Sequence, residues 1–277
     1  TDTLRCMGSE FAYSPNLDRL AEQGVLFERS YTAAPACMPA RCSILTGLYP
    51  QLHGCIENGV QRYDHVPLFT DVLKRMGYRT LMIGKTHFGE IPDSFDVVET
   101  VRGEKGQIRN DFFSPFFRKS GYPENSSWPN STPEEHCLDQ LIVNRAKHHL
   151  QESKEEKRPF FLFCSLLSPH SPLDPPGKWA DFYDPEHIPA PRYRKGEWKE
   201  LPSSLQELCG FDEKKKAGDW IGWLVEGKGS TADDVSEKRI RDYKALYYGS
   251  AAYCDALVGQ LMDCLEENGL RENTLVI

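Results

Sequence analysis

The sequence has no long hydrophobic run and no block of clustered basic residues. Its 277 residues carry a formal net charge of −8, and no apolar stretch approaches the ~18 residues that a membrane-spanning helix needs. The longest apolar stretch, residues 159–167, has the length of a buried strand. We therefore expect no membrane span in this chain and no nucleic-acid binding surface.

The cysteines are numerous but follow no metal-binding or disulfide spacing. Nine are spread along the chain, and none forms a C-x-x-C pair. This pattern argues against a zinc site and against a dense disulfide scaffold, and it favours a reducing compartment. The odd number means that at least one cysteine is unpaired or modified. No signal peptide is recognisable at Thr1, so the localisation stays unknown at this point.

Helical and strand patterns alternate along the chain, which is typical of an α/β domain with a mostly parallel central sheet flanked by helices. Ser14 is the expected N-cap of the first helix. The predicted helices cover residues 16–23, 39–47, 67–77, 133–153 and 240–269, and strands are predicted at 78–84, within 158–170 and at 272–277. Residues 100–135 and 190–235 lack such patterns and are interpreted as insertions.

Polar residues directly follow two of the predicted strands. Lys85 and His87 come after the first strand, His170 comes after the second, and Asp2 stands at the start of the chain. The carboxyl ends of parallel strands meet at one edge of an open α/β sheet, which is where such sheets bind their ligands. The sequence therefore predicts a polar site at this edge.

Cys37 lies in the segment PACMPARCSILTG, two residues before Pro39. Proline suits the first turn of a helix, so Cys37 is expected at or just before a helix N-terminus, where backbone amides and the helix dipole favour negative charge. Arg41, one turn further on, can reach the same place. Such an environment activates a thiol and also binds a tetrahedral anion. From these residues alone, a reactive thiol, an anion site and a small buried structural cysteine all remain open.

The wider pattern resembles the signature of the type I sulfatases, formylglycine-dependent enzymes of the alkaline-phosphatase-like superfamily. The C-x-P-x-R motif from Cys37 to Arg41 is followed by CSILTG and LYPQLHG. Further matches follow in the family's order: TDTLR at the start, SPNLDRLAEQGVLFERSYTAAPAC before the motif, GKTHFG after the first strand, SPHSP around His170, and the long segment from Asp242 to Ile277. The resemblance covers nearly the whole chain outside the two insertions.

The resemblance implies a role for each residue of the motif. Cys37 would be oxidised after translation to formylglycine by a formylglycine-generating enzyme, with Pro39 and Arg41 as recognition positions. In the mature site, the formylglycine at position 37 would be the nucleophile and, together with Asp2, a ligand of the metal. The implied metal is one Ca²⁺ ion, a hard cation that suits carboxylate oxygens. Arg41 would hold the formylglycine and the carboxylates beside the metal.

Three further residues complete the site that the resemblance implies. Lys85 and His87 would contact the formylglycine and the sulfate, and His170 would contact the sulfate near its leaving oxygen. In the mechanism that the resemblance implies, the formylglycine would hydrate to a geminal diol, and one of its hydroxyls would attack sulfur. His87 would then take the proton of the second hydroxyl, so that sulfate is expelled. His170 is the better candidate for protonating the leaving alcohol, since histidine titrates near neutral pH.

The implied activity is hydrolysis of a sulfate ester, either of a small molecule or of a saccharide. The implied fold is alkaline-phosphatase- and sulfatase-like, with residues 1–277 as the N-terminal part of a catalytic domain whose last metal motif and C-terminal subdomain lie beyond Ile277. Family members often have paired aspartates where this sequence has Asp2 and Thr3, so one metal ligand stays open. The alternatives are a phosphonate or phosphate monoester hydrolase with the same motif, and an inactive sulfatase-like binding protein with an unmodified Cys37.

Overall fold

The computed structural model describes residues 3–100, 132–170, 173–189, 194, 196–204 and 237–277. Asp2 and most of the two insertions predicted at 100–135 and 190–235 lie outside these residues. The chain divides into two compact units. The first unit comprises Thr1–Ser14, Ser126–Ser131 and Ser168–Cys254, and the second comprises Pro15–Asn125, Thr132–Leu167 and Asp255–Ile277.

Helices and strands alternate through the described residues. The α-helices are α1 (Pro15–Gln23), α2 (Cys37–Thr46), α3 (Pro50–His53), α4 (Phe69–Arg75), α5 (Leu138–Glu156) and α6 (Glu237–Glu267). The strands are β1 (Arg79–Gly84), β2 (Val97–Thr100) and β3 (Phe160–Ser165), and short 3₁₀ helices cover Arg5–Met7, Glu134–His136, Gly177–Trp179, Pro185–His187, Glu197–Glu200 and Arg271–Asn273. No helix in this part of the chain has the length and hydropathy that a membrane span requires.

The second unit contains a parallel sheet in which the described strands have the order β2-β1-β3. β1 pairs with β3 over its whole length and ends with Gly84 opposite Ser165. It pairs with β2 over Leu81–Gly84. The three strands therefore end at the same edge. This arrangement confirms the predicted parallel sheet flanked by helices.

The strand predicted at 272–277 is absent. Arg271–Asn273 forms a 3₁₀ helix, and the residues after it are irregular. A strand needs a neighbour to satisfy its backbone hydrogen bonds, and none of the described strands pairs with this segment. Val276 instead packs as a single side chain against the apolar cluster that contains Leu150 and Met262.

The sheet of the second unit is covered on both faces. Met82 of β1 belongs to the same buried apolar cluster as Met38 of α2. Its neighbour Ile83 packs with Ile142 of α5. Because side chains alternate along a strand, these adjacent residues serve two different layers. Helix α2 is therefore fixed to one face of the sheet by fully buried apolar contacts.

The first amides of helix α1 donate to a residue of α6. The backbone N–H groups of Asn16 and Leu17 donate to the carboxylate of Asp255 at 3.1 and 2.8 Å, and Asp255 is only 1% exposed. Ser14, the N-cap expected from the sequence, directly precedes the helix, and its hydroxyl accepts the N–H of Arg5 at 2.9 Å. The sequence did not indicate the contact with Asp255, because no local motif reveals a distant carboxylate.

A buried charge network joins α5 to the sheet. Arg145 donates to the Glu99 carboxylate at 2.7 and 2.5 Å, and a ring nitrogen of His149 lies 2.9 Å from the same carboxylate. The other ring nitrogen lies 2.9 Å from Glu152, which also accepts from Arg79 at 2.7 Å. Burial alone would raise the pKa of Glu99, but hydrogen bonds and charges from Arg145 and His149 outweigh burial and lower this pKa to about 2.

The first unit is built around aromatic side chains. The ring of Trp179, which is buried, lies 5.3 Å from the ring of Phe182 and 6.0 Å from that of Tyr253. Gly249 of α6 fits beside them because a Cβ at this position would lie 2.2 Å from the carbonyl oxygen of Trp179. A larger residue would push the 3₁₀ helix that carries Trp179 away from α6.

Candidate active site

Cys37 is the first residue of α2. Ala36 has extended backbone angles and is the N-cap, and the helix is terminated by Gly47, whose φ of 71° suits glycine. The Cys37 thiol is free and half-buried. The prediction that Cys37 lies at a helix N-terminus is confirmed, although the helix begins two residues earlier than Pro39, where the sequence predicted its start.

The amides of Met38 and Ala40, near the start of α2, are already hydrogen-bonded. The N–H of Met38 donates to the side-chain oxygen of Asn58 at 3.0 Å, and the N–H of Ala40 donates to the carbonyl of Ala36 at 3.1 Å. Pro39 has no N–H to offer. The expectation that these helix amides are open to bind an anion was therefore wrong. The positive charge near Cys37 comes instead from the side chain of Arg41.

The guanidinium of Arg41 supplies that charge. Its Nη1 donates to the carbonyl oxygens of Lys85 and Thr86 at 3.0 and 3.4 Å and to the hydroxyl of Ser165 at 2.9 Å. Burial lowers the pKa of Arg41, and electrostatic attraction to Cys37 opposes this effect. Because an arginine in a protein stays protonated, α2 carries a fixed positive charge at the carboxyl edge of the sheet.

Two glycines fix the turn that follows β1. Gly84 has a φ of 100°, and a Cβ on it would lie 2.1 Å from the carbonyl oxygen of Ser165. Gly89 has a φ of 83°, and its Cβ would lie 2.1 Å from the side-chain oxygen of Gln61. The left-handed backbone and the lack of room each require glycine. These contacts give a physical reason for the spacing G-K-T-H-F-G.

Lys85 and His87 lie within this turn, and both are half-buried. The N–H of Lys85 donates to the carbonyl oxygen of Ser165 at 2.9 Å. His87 has a φ of 45°, a left-handed conformation that is uncommon outside glycine and concentrates at functional sites. The turn stands at the carboxyl edge of the sheet, as the sequence predicted.

Buried residues behind α2 support its position. Nε2 of His53 lies 2.9 Å from the hydroxyl of Ser43, and Nδ1 accepts the N–H of Cys55 at 3.2 Å. Burial lowers the pKa of His53, so the ring is neutral at pH 7 and donates its remaining N–H to Ser43. Burial, reinforced by the neighbouring Cys55, raises the pKa of Cys42 to about 12. Both His53 and Cys42 are therefore structural residues.

Two predicted site residues do not belong to the second unit. His170 belongs to the first unit, where it is exposed, and Asp2 lies outside the described residues. Within the described ranges, no three His, Cys, Asp or Glu side chains are grouped as a metal site would require. These residues do not by themselves fit the Ca²⁺ ion that the resemblance implies, since this ion takes at least six oxygen ligands.

Sequence reasoning missed the residues that hold this arrangement together. Ser165 ends β3, and Asn58 and Gln61 lie in the loop after α3. The side-chain oxygen of Gln61 accepts the N–H of Glu90 at 3.0 Å. Each of these residues acts on a partner that is distant in sequence. Only the Asn58-Gly59 pair carries a local signal, and that signal indicates a turn rather than a contact.

The structure thus places Arg41 and the turn of Lys85 and His87 at the carboxyl edge of a parallel α/β sheet, where such sheets bind ligands. Comparisons with known proteins identify the family. A family model described as Sulfatase matches residues 1–277. The arylsulfatase of Clostridium perfringens is 29% identical over 304 residues, which cover 100% of this chain and 59% of that protein. The N-acetylglucosamine-6-O-sulfatase of Bacteroides thetaiotaomicron is 23% identical over 316 residues, covering 100% of this chain and 55% of that protein.

A solved structure shows the same fold. The phosphonate monoester hydrolase of Agrobacterium radiobacter matches with a TM-score of 0.79 and 22% identity, covering 100% of this chain and 59% of that one. The chain thus spans less than two thirds of the length of the proteins that it matches. It belongs to the sulfatase family, and it shares the fold of that phosphonate monoester hydrolase.

Proposed function

We propose that the full-length protein hydrolyses a sulfate ester through a formylglycine made from Cys37. The observation that carries the proposal is the position of Cys37 at the start of α2, one turn before the half-buried Arg41, which interacts with it electrostatically. The site fits the modification, because residue 37 is half-buried and so reachable from solvent. A hydrated formylglycine supplies one hydroxyl that attacks sulfur and a second hydroxyl whose deprotonation releases sulfate.

The neighbouring side chains have complementary tasks in this proposal. Arg41 keeps a positive charge beside position 37, and Lys85 adds a second cation, so that both offset the negative charge of a sulfate ester. His87, held in a fixed turn, is the base that takes a proton from residue 37. In this proposal, His170 is the acid that protonates the leaving alcohol.

We propose one Ca²⁺ ion for the full-length protein, with Asp2 and residue 37 among its ligands. Carboxylate and hydroxyl oxygens suit this cation, and the family resemblance supports its presence. Because the described residues contain no complete ligand cluster, the roles given above to Arg41, Lys85 and His87 do not depend on the ion.

The substrate class follows from the family. We propose a small-molecule or saccharide sulfate ester, supported by the names of two relatives, an arylsulfatase and an N-acetylglucosamine-6-O-sulfatase. Residues 1–277 form the N-terminal part of the catalytic domain in this proposal, which agrees with the 59% of the arylsulfatase that they match. A formylglycine-generating enzyme is the partner required for maturation.

A phosphonate monoester hydrolase is the second candidate, because a protein of that activity has the same fold at a TM-score of 0.79. Sulfate ester hydrolysis transfers a group centred on sulfur, whereas phosphonate monoester hydrolysis transfers a group centred on phosphorus, and the two groups differ in charge. Parallel assays with 4-nitrophenyl sulfate and with a 4-nitrophenyl phosphonate monoester separate them. We expect the greater kcat/KM for the sulfate ester, and the opposite ranking would favour the second candidate.

Mass spectrometry of the peptide that carries position 37 tests the proposed mechanism. In active protein, we expect this peptide to have lost H₂S and gained one oxygen atom relative to the cysteine form. Cys37→Ala should abolish sulfate release, and Cys42→Ala on the same helix should retain it as the matched control. An intact Cys37 thiol in fully active protein would refute the mechanism, and an intact thiol in inactive protein would favour a binding protein.

A further inference from the structure

Ser165 stands at the junction between α2 and the turn after β1. Its hydroxyl accepts a hydrogen bond from Nη1 of Arg41 at 2.9 Å, and its carbonyl oxygen accepts the N–H of Lys85 at 2.9 Å. Ser165 is only 5% exposed, so water does not readily replace either contact. One buried residue thus holds the side chain of the motif arginine and the backbone of the motif lysine.

The surroundings leave Ser165 little freedom. It ends β3 directly opposite Gly84 of β1, and the missing side chain of Gly84 makes room for the Ser165 carbonyl. The other acceptors of Arg41 Nη1 are the carbonyls of Lys85 and Thr86, which belong to one turn. Among these three acceptors, the Ser165 hydroxyl alone ties the guanidinium to a different strand.

We propose that Ser165 is a positioning residue that fixes the Arg41 side chain relative to Lys85. It thereby directs the positive charge of Arg41 towards residue 37. This inference rests on the proposed function. A hydrogen bond from a guanidinium to a buried hydroxyl is directional, so it restricts rotation of the Arg41 side chain. In this proposal, Ser165 acts through Arg41 and is not itself a catalytic residue.

The chain offers a matched control for this contact. Ser153 of α5 is 2% exposed, and its hydroxyl accepts from Nη1 of Arg79 at 3.3 Å. It is therefore also a buried serine that binds an arginine, but it belongs to the charge network of Glu99 and not to the group around Cys37. A general loss of packing or of a buried hydrogen bond should affect both serine positions alike.

Steady-state kinetics of the full-length, matured protein with 4-nitrophenyl sulfate form the first test. Ser165→Ala should lower kcat about tenfold or more and change KM less than about threefold, because a displaced charge weakens mainly the transition state. Ser165→Thr retains the hydroxyl and should recover kcat to within about threefold of wild type. Ser153→Ala should leave kcat within about twofold of wild type, even where its melting temperature falls as far as that of Ser165→Ala.

Hydrogen exchange forms the second test and needs no activity. In protein made without maturation, whose Cys37 is intact, Ser165→Ala should speed exchange in the peptide spanning Lys85–Gly89 about fivefold or more, and Ser153→Ala should not. Unchanged exchange in Ser165→Ala, or equal losses of kcat in Ser165→Ala and Ser165→Thr, would overturn the positioning role. A wild type that releases no sulfate would contradict the proposed function alone, since the exchange experiment still decides whether Ser165 holds the turn.

Discussion

Replacing Glu99 by glutamine should strongly destabilise the protein at neutral pH. Glu99 is 6% exposed, and its carboxylate accepts two hydrogen bonds from Arg145 and contacts His149. Glutamine preserves the shape of the side chain but removes its charge. Arg145 would then keep its positive charge in a half-buried site without the counter-ion that offsets its desolvation.

The expected magnitude follows from the pKa of Glu99, which falls from its ordinary value of 4.5 to about 2. At about 1.4 kcal/mol per pKa unit, ionised Glu99 stabilises the folded state by about 3 kcal/mol. Because the pKa is lower in the folded state, this stabilisation is complete above the unfolded-state pKa of 4.5 and is lost as the pH falls towards 2. This value agrees with the about 3–5 kcal/mol of stability that is lost when one partner of a buried ion pair is removed.

Urea unfolding followed by circular dichroism at several pH values measures this effect. Wild type and Glu99→Gln should differ by about 3 kcal/mol at neutral pH, and the difference should shrink as the pH falls below about 4.5. Glu155→Gln, an exposed position on α5, the helix that carries Arg145, is the matched control and should change stability by less than about 0.5 kcal/mol. A Glu99→Gln effect below about 1 kcal/mol at neutral pH, or one that does not vary with pH, would refute the reasoning.

Three further predictions concern the turn, a helix cap and the metal. Gly84→Ala should lower the free energy of unfolding by more than about 2 kcal/mol, because its Cβ would lie 2.1 Å from the Ser165 carbonyl oxygen. Thermal unfolding should show a smaller loss for Gly77→Ala, where φ is 86° but the space is open, and equal losses would contradict the steric argument. Asp255→Ala should cost about 2 kcal/mol by leaving the first amides of α1 without their acceptor; a loss no larger than that of exposed Asp263→Ala would speak against this cap. Treatment of the full-length protein with EGTA should abolish sulfate release and added Ca²⁺ should restore it, whereas full activity of protein shown to be metal-free by elemental analysis would exclude the proposed ion.

Local sequence signals were sufficient to predict β1 and α2, the strand before the Lys85 turn and the helix that begins with Cys37. The apolar run before Gly84 predicted β1, and Pro39 and Gly47 indicated both ends of α2 to within two residues of its observed bounds, Cys37–Thr46. These signals depend on residue type over a few neighbouring positions. The same kind of signal was misleading at 272–277, where an apolar segment has no strand partner among the described residues.

Contacts between elements could not be predicted in this way. The first amides of α1 donate to Asp255, which lies 239 residues from Asn16, and no local pattern indicates that contact. The hydroxyl that holds Arg41 belongs to Ser165, 124 residues further along the chain. At such separations the partner of a side chain depends on the order of the strands in the sheet, which a one-dimensional pattern does not specify.

Three features were predictable from the amino-acid sequence: the family, the motif that begins at Cys37, and the position of Lys85 and His87 just after a strand. These features depend on residue identity and spacing over short stretches of the chain. The contacts of Arg41 with the backbone of the Lys85 turn and with the hydroxyl of Ser165 became visible only in the folded structure. Those contacts require α2, β1 and β3 to meet at one edge, and burial of apolar side chains on both faces of the sheet is what brings these elements together.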